Sequence, residues 1–478
     1  MEQKPFIKLF STINSNYFYD VNKNEVIAVK DDTWLILNNV MENGESLKDY
    51  KLNERGYSEI NSLIQKGYLS GNRVKEIEHS NCGNIETTLE RRMQKITLQL
   101  TQNCNFRCSY CHYTSNDGSQ RKHSNKKMNI ETAKDAILFL KEHSMDSPEV
   151  YIGFYGGEPL LEFEMMKEIV RFAGDTFFGK KINYTITTNS VLLSDEVIEF
   201  FIKYQISVVI SLDGPKEIND CNRVFAGSGQ GTFDAIIKKV KYIYDNYPKF
   251  YKELSINMVM NPEHDFEVIH SIFKDYPFLK KINIMSTVID DVGALKKNSY
   301  SENYSKEVAY QEFLAYLSVM HRLPASKLYP TTARKVVGIQ EIGKHFTERE
   351  RLPEKAAPGG QCNPGEVRLM VTAEGDFIVC ERVNEISDCM VIGNLKSGVD
   401  VNKVKALLNV AKVTEEKCID CWAFSGCNLC AKYADQNGRL AKEERLKHCN
   451  RSRNNFLNIL KEKALLMEAA ECYGQASM

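Results

Sequence analysis

The sequence predicts an α/β protein built on a parallel sheet, because strand-like and helix-like runs alternate through its middle. Strand-like runs fall at residues 95–101, 149–155, 182–188, 206–212, 254–260 and 281–286. Helical patterns follow them at residues 131–143, 162–176, 193–203, 232–246, 264–274 and 305–320. Alternating strands and helices form a parallel sheet with helices on its outside. Such a sheet carries its chemistry at the C-terminal ends of the strands.

Composition narrows the class of protein. The chain has 478 residues, of which 43% are hydrophobic and 26% charged, as in a soluble protein of several domains. Its net charge of −1 gives no support for nucleic acid as a partner. No apolar run reaches the roughly eighteen residues that span a bilayer, and the first residues lack signal-peptide character. We therefore expect a cytoplasmic location, where fourteen cysteines indicate metal ligation rather than disulfides.

Residues 1–85 are predicted to form a small separate domain. Strand-like residues 17–21 and 25–29 flank a turn at residues 22–24, and helical patterns follow at 32–40 and 53–66, the second ending at Gly67. Residues 78–94 look like a polar linker. The order of elements resembles the winged-helix element with which peptide-modifying enzymes bind the leader of a precursor peptide, by adding a strand to the sheet edge. A domain that merely packs on its neighbour is the alternative.

Three cysteines follow the first strand of the alternating region. Cys104, Cys108 and Cys111 have the spacing Cys-x3-Cys-x2-Cys, with Tyr110 before the third. Three thiolates can converge on one centre here without a fourth protein ligand. Structural zinc normally has four protein ligands, so a zinc site would need a further ligand such as His112. The motif resembles the signature of the radical S-adenosylmethionine (radical SAM) superfamily. The resemblance implies a [4Fe–4S] cluster whose open iron binds SAM and whose electron cleaves it to a 5′-deoxyadenosyl radical.

Further strand ends match the same family. The resemblance implies that the segment after the second strand binds the methionine amino group of SAM, that the end of the third strand meets its ribose and carboxylate, and that the end of the fourth strand and an arginine beyond it hold the carboxylate. Asp213 has a weaker case and could simply cap a turn. The implied SAM-binding residues are Tyr110, Gly156, Gly157, Glu158, Pro159, Thr188, Asn189, Ser211 and Arg223.

The rest of the chain divides in two. Residues 86–320 fit a partial (β/α)6 barrel, and residues 321–361 look like a bridge, in which the charged run 349–355 is expected on the solvated surface. Residues 362–478 carry seven spaced cysteines, and residues 367–371 and 376–379 predict a hairpin around Gly375. This pattern resembles the SPASM domain, which implies two auxiliary [4Fe–4S] clusters. The implied ligands are Cys362, Cys380, Cys418, Cys421, Cys427, Cys430 and Cys449.

The C-terminal pattern departs from the family in two ways. It ends in Cys-x2-Cys where Cys-x3-Cys is usual, and seven ligands stand where two closed clusters need eight. The family topology implies one cluster on Cys418, Cys421, Cys427 and Cys449. The other would use Cys362, Cys380 and Cys430 and keep an open iron, unless Cys389 fills that position. Structural zinc in four-cysteine sites is the alternative.

Over nearly its whole length the chain resembles a radical SAM/SPASM maturase of ribosomally made peptides, of the thioether-forming sactipeptide and ranthipeptide type. The resemblance implies as partners a Cys-rich precursor peptide and an electron donor such as flavodoxin or ferredoxin. Three alternatives remain: an anaerobic sulfatase-maturating enzyme that makes formylglycine, a C–C or C–O crosslinking enzyme, and a non-catalytic iron–sulfur electron-transfer protein. In the first, an aspartate base follows the cysteine matching Cys380, and here Glu381 stands there as the candidate catalytic base.

Overall fold

The computed structural model describes residues 4–50, 55–114, 121–292 and 297–473. The described strands are β1 Ile7–Ser11, β2 Asn16–Asp20, β3 Glu25–Val29, β4 Glu76–Ile77, β5 Lys95–Thr101, β6 Phe106–Cys108, β7 Glu149–Gly156, β8 Lys181–Thr188, β9 Ser207–Ser211, β10 Arg223–Phe225, β11 Ser255–Met260, β12 Asn283–Val288, β13 Lys355–Ala356, β14 Met370–Val371, β15 Asp376–Ile378, β16 Val391–Asn394, β17 Gly398–Val399, β18 Asp435–Gln436 and β19 Arg439–Leu440. The described α-helices are α1 Asp31–Glu42, α2 Tyr57–Gln65, α3 Ile85–Arg91, α4 Ile130–His143, α5 Phe163–Thr176, α6 Asp195–Lys203, α7 Lys216–Asn222, α8 Phe233–Asn246, α9 Pro248–Glu253, α10 Phe266–His270, α11 Ile272–Asp275, α12 Glu302–Val319, α13 Pro330–Gln340, α14 Val401–Leu408, α15 Glu415–Cys418, α16 Lys442–Lys447 and α17 Cys449–Tyr473.

The predicted α/β fold is confirmed, and each of the six predicted strands is present within two residues of its expected bounds. They lie in the order β12-β11-β9-β8-β7-β5, and every neighbouring pair is parallel. Leu98, Ile152, Ile186 and Ile210 are buried in the core that these strands share with the helices. A parallel sheet covered by helices needs such continuously apolar strands, which is why the sequence revealed them.

The sheet does not stop at β5. Its free edge pairs in parallel with β14, and β15, β16 and β17 continue from there as antiparallel strands, giving ten strands in all. The predicted hairpin around Gly375 is confirmed in shorter form, and Gly375 adopts φ 92°, a conformation that favours glycine. The cysteine-rich region is therefore joined to the barrel by main-chain hydrogen bonds along β5.

The N-terminal residues form a three-stranded antiparallel sheet in the order β1-β2-β3. The predicted hairpin is confirmed as β2 and β3, whereas β1 was not predicted. The predicted second helix begins only at Tyr57, and residues 51–54 lie outside the described residues. One sheet face buries Phe18 against α1 and α2, and the other buries Tyr17 and Tyr19 beside α17. Both faces are covered, so that the outer strands β1 and β3 supply the sheet's free edges.

One prediction for a polar segment was wrong, and another holds only in part. The stretch 78–94 contains helix α3, which buries Ile85 and Leu89, because its apolar residues are spaced by one helical turn. The run 349–355 is mostly exposed, as predicted, but Arg349 donates hydrogen bonds to the Val21 carbonyl (2.6 Å) and the Asn22 carbonyl (2.9 Å). A guanidinium fork can satisfy the carbonyls of a turn that lies far away in sequence. Among the described residues, no helix is both long and apolar enough to cross a membrane.

We predict that Phe456→Ala loosens the attachment of the N-terminal sheet to α17. Phe456 is 1% exposed and contacts the rings of Tyr19, Phe346 and Trp422. Removing a buried phenyl ring costs about 3 to 5 kcal/mol. Limited proteolysis should therefore release the N-terminal region faster, and the denaturation midpoint should fall. Phe178→Ala, at a ring that is 95% exposed, is the matched control and should change neither. Equal proteolysis of both variants would contradict this packing.

Candidate active site

The three-cysteine loop begins just after β5 and contains the short strand β6, whose last residue is Cys108. It therefore starts at the C-terminal end of β5. Burial raises the pKa of Cys104 to about 12 and that of Cys108 to about 11. Cys108 and Cys111 further raise the pKa of Cys104, and Cys111 that of Cys108, so the thiols lie within range of each other's charge. The loop therefore gathers three thiols in a largely buried pocket. Such thiols become thiolates readily only with a cation or a metal beside them.

Gly156 and Gly157 pack directly against the main chain at the start of this loop. A Cβ atom on Gly156 would stand 2.1 Å from the Thr101 carbonyl oxygen, and one on Gly157 would stand 2.1 Å from the Asn103 carbonyl oxygen. Gly156 also adopts φ 137°. Only glycine permits this approach of two backbones. The predicted glycine pair thus positions the cysteine loop itself, which the sequence reasoning did not foresee.

Tyr110, Asp213 and Arg223 form a buried contact set beside the loop. The Tyr110 hydroxyl donates to Asp213 Oδ2 (2.5 Å) and accepts from Arg223 Nη1 (2.9 Å). Strand β10 pairs with β6 so that Arg223 lies opposite Cys108, and the charge of Arg223 lowers the pKa of Cys108 against the effect of burial. Asp213 also accepts from the Val259 amide (3.2 Å). Asp213 is therefore more than a turn cap, because it holds the tyrosine and the arginine.

Glu158 is held by hydrogen bonds from its neighbours, and its place in SAM binding stays a prediction. Its Oε1 accepts from Thr188 Oγ1 (2.8 Å) and from the Leu160 amide (3.1 Å), and its Oε2 accepts from the Asn189 amide (2.8 Å). The carboxylate thereby ties the ends of β7 and β8 together and caps the short 3₁₀ turn that begins at Pro159. The Asn189 side chain donates to Asn105 Oδ1 (2.6 Å), inside the cysteine loop.

Ser211 stands somewhat apart from this set. It ends β9, is half-buried and pairs with Asn257 of β11. Within the described ranges no hydrogen bond joins Ser211 to Arg223. The structure therefore brings together the cysteine loop, the glycine pair, Glu158 with Thr188 and Asn189, and Arg223 with Tyr110, and leaves Ser211 on the same rim of the sheet.

The seven C-terminal cysteines lie in two groups. Cys362 and Cys430 raise the pKa of Cys380 beyond the effect of burial, and Cys430 does the same to Cys362. In the second group Cys427 raises the pKa of three neighbours, again beyond the effect of burial, and those neighbours are Cys418, Cys421 and Cys449. We call these the inner group and the outer group. They coincide with the two ligand sets that the resemblance implies.

A second close approach of glycines builds these groups. A Cβ on Gly359 would stand 2.8 Å from the Ser425 carbonyl oxygen, and one on Gly360 would stand 2.7 Å from Asn428. Gly360 has φ 93°. The chain that leads to Cys362 can therefore pass directly over the loop before Cys430. The Gly-Gly pair was visible in the sequence, but nothing there said which loop it would meet.

Arg121 is the functional residue that sequence reasoning missed. It is 2% exposed, lies between the rings of Tyr113 and Tyr155, and pairs through Nε with Glu385 Oε2 (2.8 Å). Its Nη1 donates to the Glu381 carbonyl (2.7 Å). Its charge also lowers the pKa of Cys111, and Cys380 acts on the pKa of Arg121 itself. A buried cation thus stands between the three-cysteine loop and the inner group. A single arginine in a polar loop carries no signal that would have found it.

Two further candidate residues, Glu381 and Cys389, have well-defined contacts. The Glu381 carboxylate accepts from Arg368 Nη1 (2.9 Å) and is close enough to the inner group to raise the pKa of Cys380. The thiol of Cys389 contacts Ser387 Oγ (3.4 Å) and Asp435 Oδ1 (3.6 Å). These contacts engage Cys389 with neighbours other than the inner group's thiols.

The donor atoms fit thiolate-bound clusters. In the described ranges, no group of three or more His, Cys, Asp and Glu residues is arranged to hold a single metal ion. A single ion gathers its ligands around one atom, whereas the thiolates of a cubane cluster bind different irons. Arg223 Nε is buried with no hydrogen-bond partner among the described residues, so a donor remains beside the first cysteine loop for an anionic group.

Comparison with known proteins shows where the chain is similar to a known family. Residues 98–275 match the model of the Radical SAM superfamily. The family implies SAM and a [4Fe–4S] cluster. In fold the chain resembles the solved structure of native anSMEcpe with bound AdoMet, with a TM-score of 0.56 and 19% identity over 79% of this chain and 99% of that one. At that identity the likeness shows the fold alone.

Curated relatives match in part. An uncharacterized protein of Methanocaldococcus jannaschii is 36% identical over 155 residues, 32% of this chain and 50% of the relative. A cysteine-type anaerobic sulfatase-maturating enzyme of Clostridium perfringens is 27% identical over 225 residues, 44% of this chain and 58% of the relative. The radical SAM cyclopropyl synthase TigE of Paramaledivibacter caminithermalis is 26% identical over 204 residues, 39% of this chain and 41% of the relative. The chain thus spans about half the length of these relatives.

We predict that Gly157→Ala disrupts the first cluster site selectively. The new Cβ would collide with the Asn103 carbonyl oxygen and touch Cys104 Cβ at 3.0 Å, so the loop must shift. After anaerobic reconstitution, three cubanes correspond to roughly twelve irons per chain, and the variant should hold roughly four fewer. Gly174→Ala is the control, since nothing lies within 4 Å of its added Cβ in helix α5. Full iron content and undiminished SAM cleavage in Gly157→Ala would contradict this geometry.

Proposed function

We propose that this protein is a radical SAM maturase that joins cysteine sulfur to a carbon of another residue in a ribosomally made, Cys-rich precursor peptide. The observation that carries the proposal is the inner group, which offers three thiols, Cys362, Cys380 and Cys430, next to the radical SAM site. Three protein ligands leave a fourth coordination position for a substrate thiolate. The contacts of Cys389 with Ser387 and Asp435 support leaving that position to the substrate.

The chain's own residues would prepare the first site. Cys104, Cys108 and Cys111 would hold the cluster that, with SAM, supplies an organic radical able to remove a hydrogen atom from the peptide. Arg223 would neutralise a carboxylate with its free Nε donor, and Asp213 and Tyr110 would fix the orientation of the guanidinium. Burial of this rim would exclude water, which protects reactive species from side reactions.

Cys sulfur would be delivered from the inner group. When the S–C bond forms with the carbon that has lost its hydrogen atom, the proton of the thiol would pass to a base and the one remaining electron to the cluster that the inner group would hold. Glu381 lies beside these thiols and could accept the proton of the substrate thiol, with Arg368 holding the carboxylate in place. Arg121 would keep the Glu381 backbone and the three-cysteine loop at a constant separation, because it contacts both sides. Reacting atoms must be held in contact geometry for such a coupling, and rigid buried neighbours supply it.

The precursor's leader would bind the N-terminal sheet at strand β3. With both sheet faces covered, only an edge can accept an added strand, and β3 leads directly into α1. There the side chain of Leu35 is 58% exposed, and the indole Nε1 of Trp34 is buried with no hydrogen-bond partner among the described residues. An extended peptide could pair with the strand and place apolar side chains against α1.

We predict that Leu35→Glu weakens leader binding at least about tenfold, a change of about 1.4 kcal/mol. A charge on this exposed side of α1 must be desolvated when the peptide binds, while the exposed position keeps the fold intact. Fluorescence anisotropy of a labelled leader peptide measures the change. Leu138→Glu, at a leucine that is 41% exposed on α4, is the control. Equal loss in both variants, or loss in neither, would exclude leader binding beside β3 and α1.

The second candidate is formylglycine formation, as in a sulfatase-maturating enzyme. It is favoured by the Clostridium perfringens relative and by the fold shared with native anSMEcpe bound to AdoMet and the Cp18Cys peptide, at a TM-score of 0.55. The additional N-terminal sheet, to which we assign leader binding in this proposal, favours a precursor peptide instead. In both reactions a cytoplasmic electron donor such as flavodoxin or ferredoxin would supply the electron.

The deciding experiment is mass spectrometry of a Cys-rich peptide encoded beside this gene and co-expressed with the enzyme. We expect the loss of a pair of hydrogens per modified cysteine, with those cysteines resistant to a thiol alkylator even after reduction. Cys104→Ala should abolish the change. Cys221→Ala, which alters an exposed cysteine outside the three groups, should not.

Other outcomes identify the alternatives. A cysteine converted to an aldehyde that reacts with a hydrazide would show formylglycine formation. Hydrogen loss with every thiol still alkylated would show a C–C or C–O crosslink. A peptide unchanged in mass while SAM is cleaved would overturn the choice of substrate.

A further inference from the structure

Arg445 is a buried cation that has no carboxylate partner among the described residues. Its side chain is 1% exposed, and its Nη1 donates to the Leu429 carbonyl (3.0 Å), in the loop between Cys427 and Cys430. Its Nε is buried and has no hydrogen-bond partner among the described residues. In the same ranges no carboxylate oxygen approaches its guanidinium within ion-pair distance.

A buried arginine without a carboxylate partner calls for a structural explanation. Moving an unpaired charge from water into the protein interior is strongly unfavourable, and buried arginines are therefore normally paired. Arg445 lies among the segments that carry the outer cysteines. It comes four residues before Cys449, whose thiol reaches the Arg445 carbonyl (3.8 Å), and its guanidinium is bound to the loop between Cys427 and Cys430.

The inner and outer cysteine groups differ in the charged side chains that lie beside them. The inner group has the Glu381 carboxylate beside it, directly after Cys380 in the chain. The outer group has Arg445 beside the loop between Cys427 and Cys430, and Arg453 lies near Cys421. Cys421 and Arg453 also line a surface cavity of about 320 Å³, so Arg453 is nearer to solvent than Arg445. Solvent screens its charge more strongly.

We infer that Arg445 is the built-in counter-cation of the outer centre and that it raises the reduction potential of that centre by stabilising its reduced, more negative form. This inference rests on the cluster assignment within the proposed function. Four thiolates make the outer centre more negative than one held by three, and one-electron reduction adds a further negative charge. A fixed cation in a low-dielectric site favours the more negative state, and such neighbours tune cluster potentials.

The test is a potentiometric titration of the full-length reconstituted enzyme, with dithionite as the electron source and electron paramagnetic resonance as the readout. The outer centre is identified as the signal absent from Cys418→Ala. Arg445→Met, which keeps most of the side-chain volume, should lower the equilibrium constant for its reduction at least about tenfold, which is about 59 mV for one electron. Arg445→Lys should restore most of the loss, because it keeps the charge. Arg451→Met, at a helix α17 arginine that is 61% exposed, should leave the potential unchanged.

Each outcome decides the inference. A potential unchanged in Arg445→Met overturns it, as does a shift in Arg445→Lys as large as that in Arg445→Met, which would indicate packing rather than charge. If Arg445→Met does not fold, Arg453→Met must show a smaller shift of the same sign, and its absence overturns the inference. Peptide modification is measured separately on the wild-type enzyme. If the peptide is not modified, the proposed substrate is wrong, but the measured reduction potentials still decide the inference about Arg445.

Discussion

The pairing of β14 with β5 is the interaction on which the arrangement of the site depends. Strand β5 carries the three-cysteine loop at its end, and β14 opens the hairpin that leads to Cys380. Because hydrogen bonds along one strand set the register between them, the first cysteine group and the inner group are held by a single sheet rather than by two domains packed together. The Arg121 contacts then add a side-chain connection across the same junction. A coupling that needs two centres at constant separation benefits from such rigid placement.

Buried arginines recur wherever thiols gather. Arg223 stands opposite Cys108, Arg121 lies between Cys111 and Cys380, and Arg445 lies behind Cys418. Each is at most 5% exposed. Thiols buried in apolar surroundings resist deprotonation, and a neighbouring cation offsets that cost. The interior would thus balance the negative charge of the thiolate-bound clusters that we propose. Where a carboxylate takes part, as Asp213 does with Arg223, it orients the arginine toward the site.

Most of the central fold could be predicted because its signals are local. A parallel strand covered on both faces is continuously apolar, and an amphipathic helix repeats every turn, so the six parallel strands and the main helices that follow them lay close to their expected bounds. The same reasoning missed β1 and α3, which are short and partly polar. It also misplaced Arg349, whose partners are the carbonyls of a turn more than three hundred residues earlier. A contact between residues so far apart in the sequence produces no local periodic pattern from which it could be predicted.

The sequence by itself determined the chemistry of the candidate site: three cysteines in a Cys-x3-Cys-x2-Cys loop, glycines after the second strand, and seven more cysteines near the C-terminus. These signals survive in sequence because ligand type and backbone freedom depend on residue identity. Only the tertiary structure decided what each residue touches. It turned Glu158 toward Thr188 and Asn189, set the glycine pairs under the cysteine loops, and placed Arg121 and Arg445 among the thiols. Those roles arise from contacts between distant segments, and they are fixed only when the sheet brings the segments together.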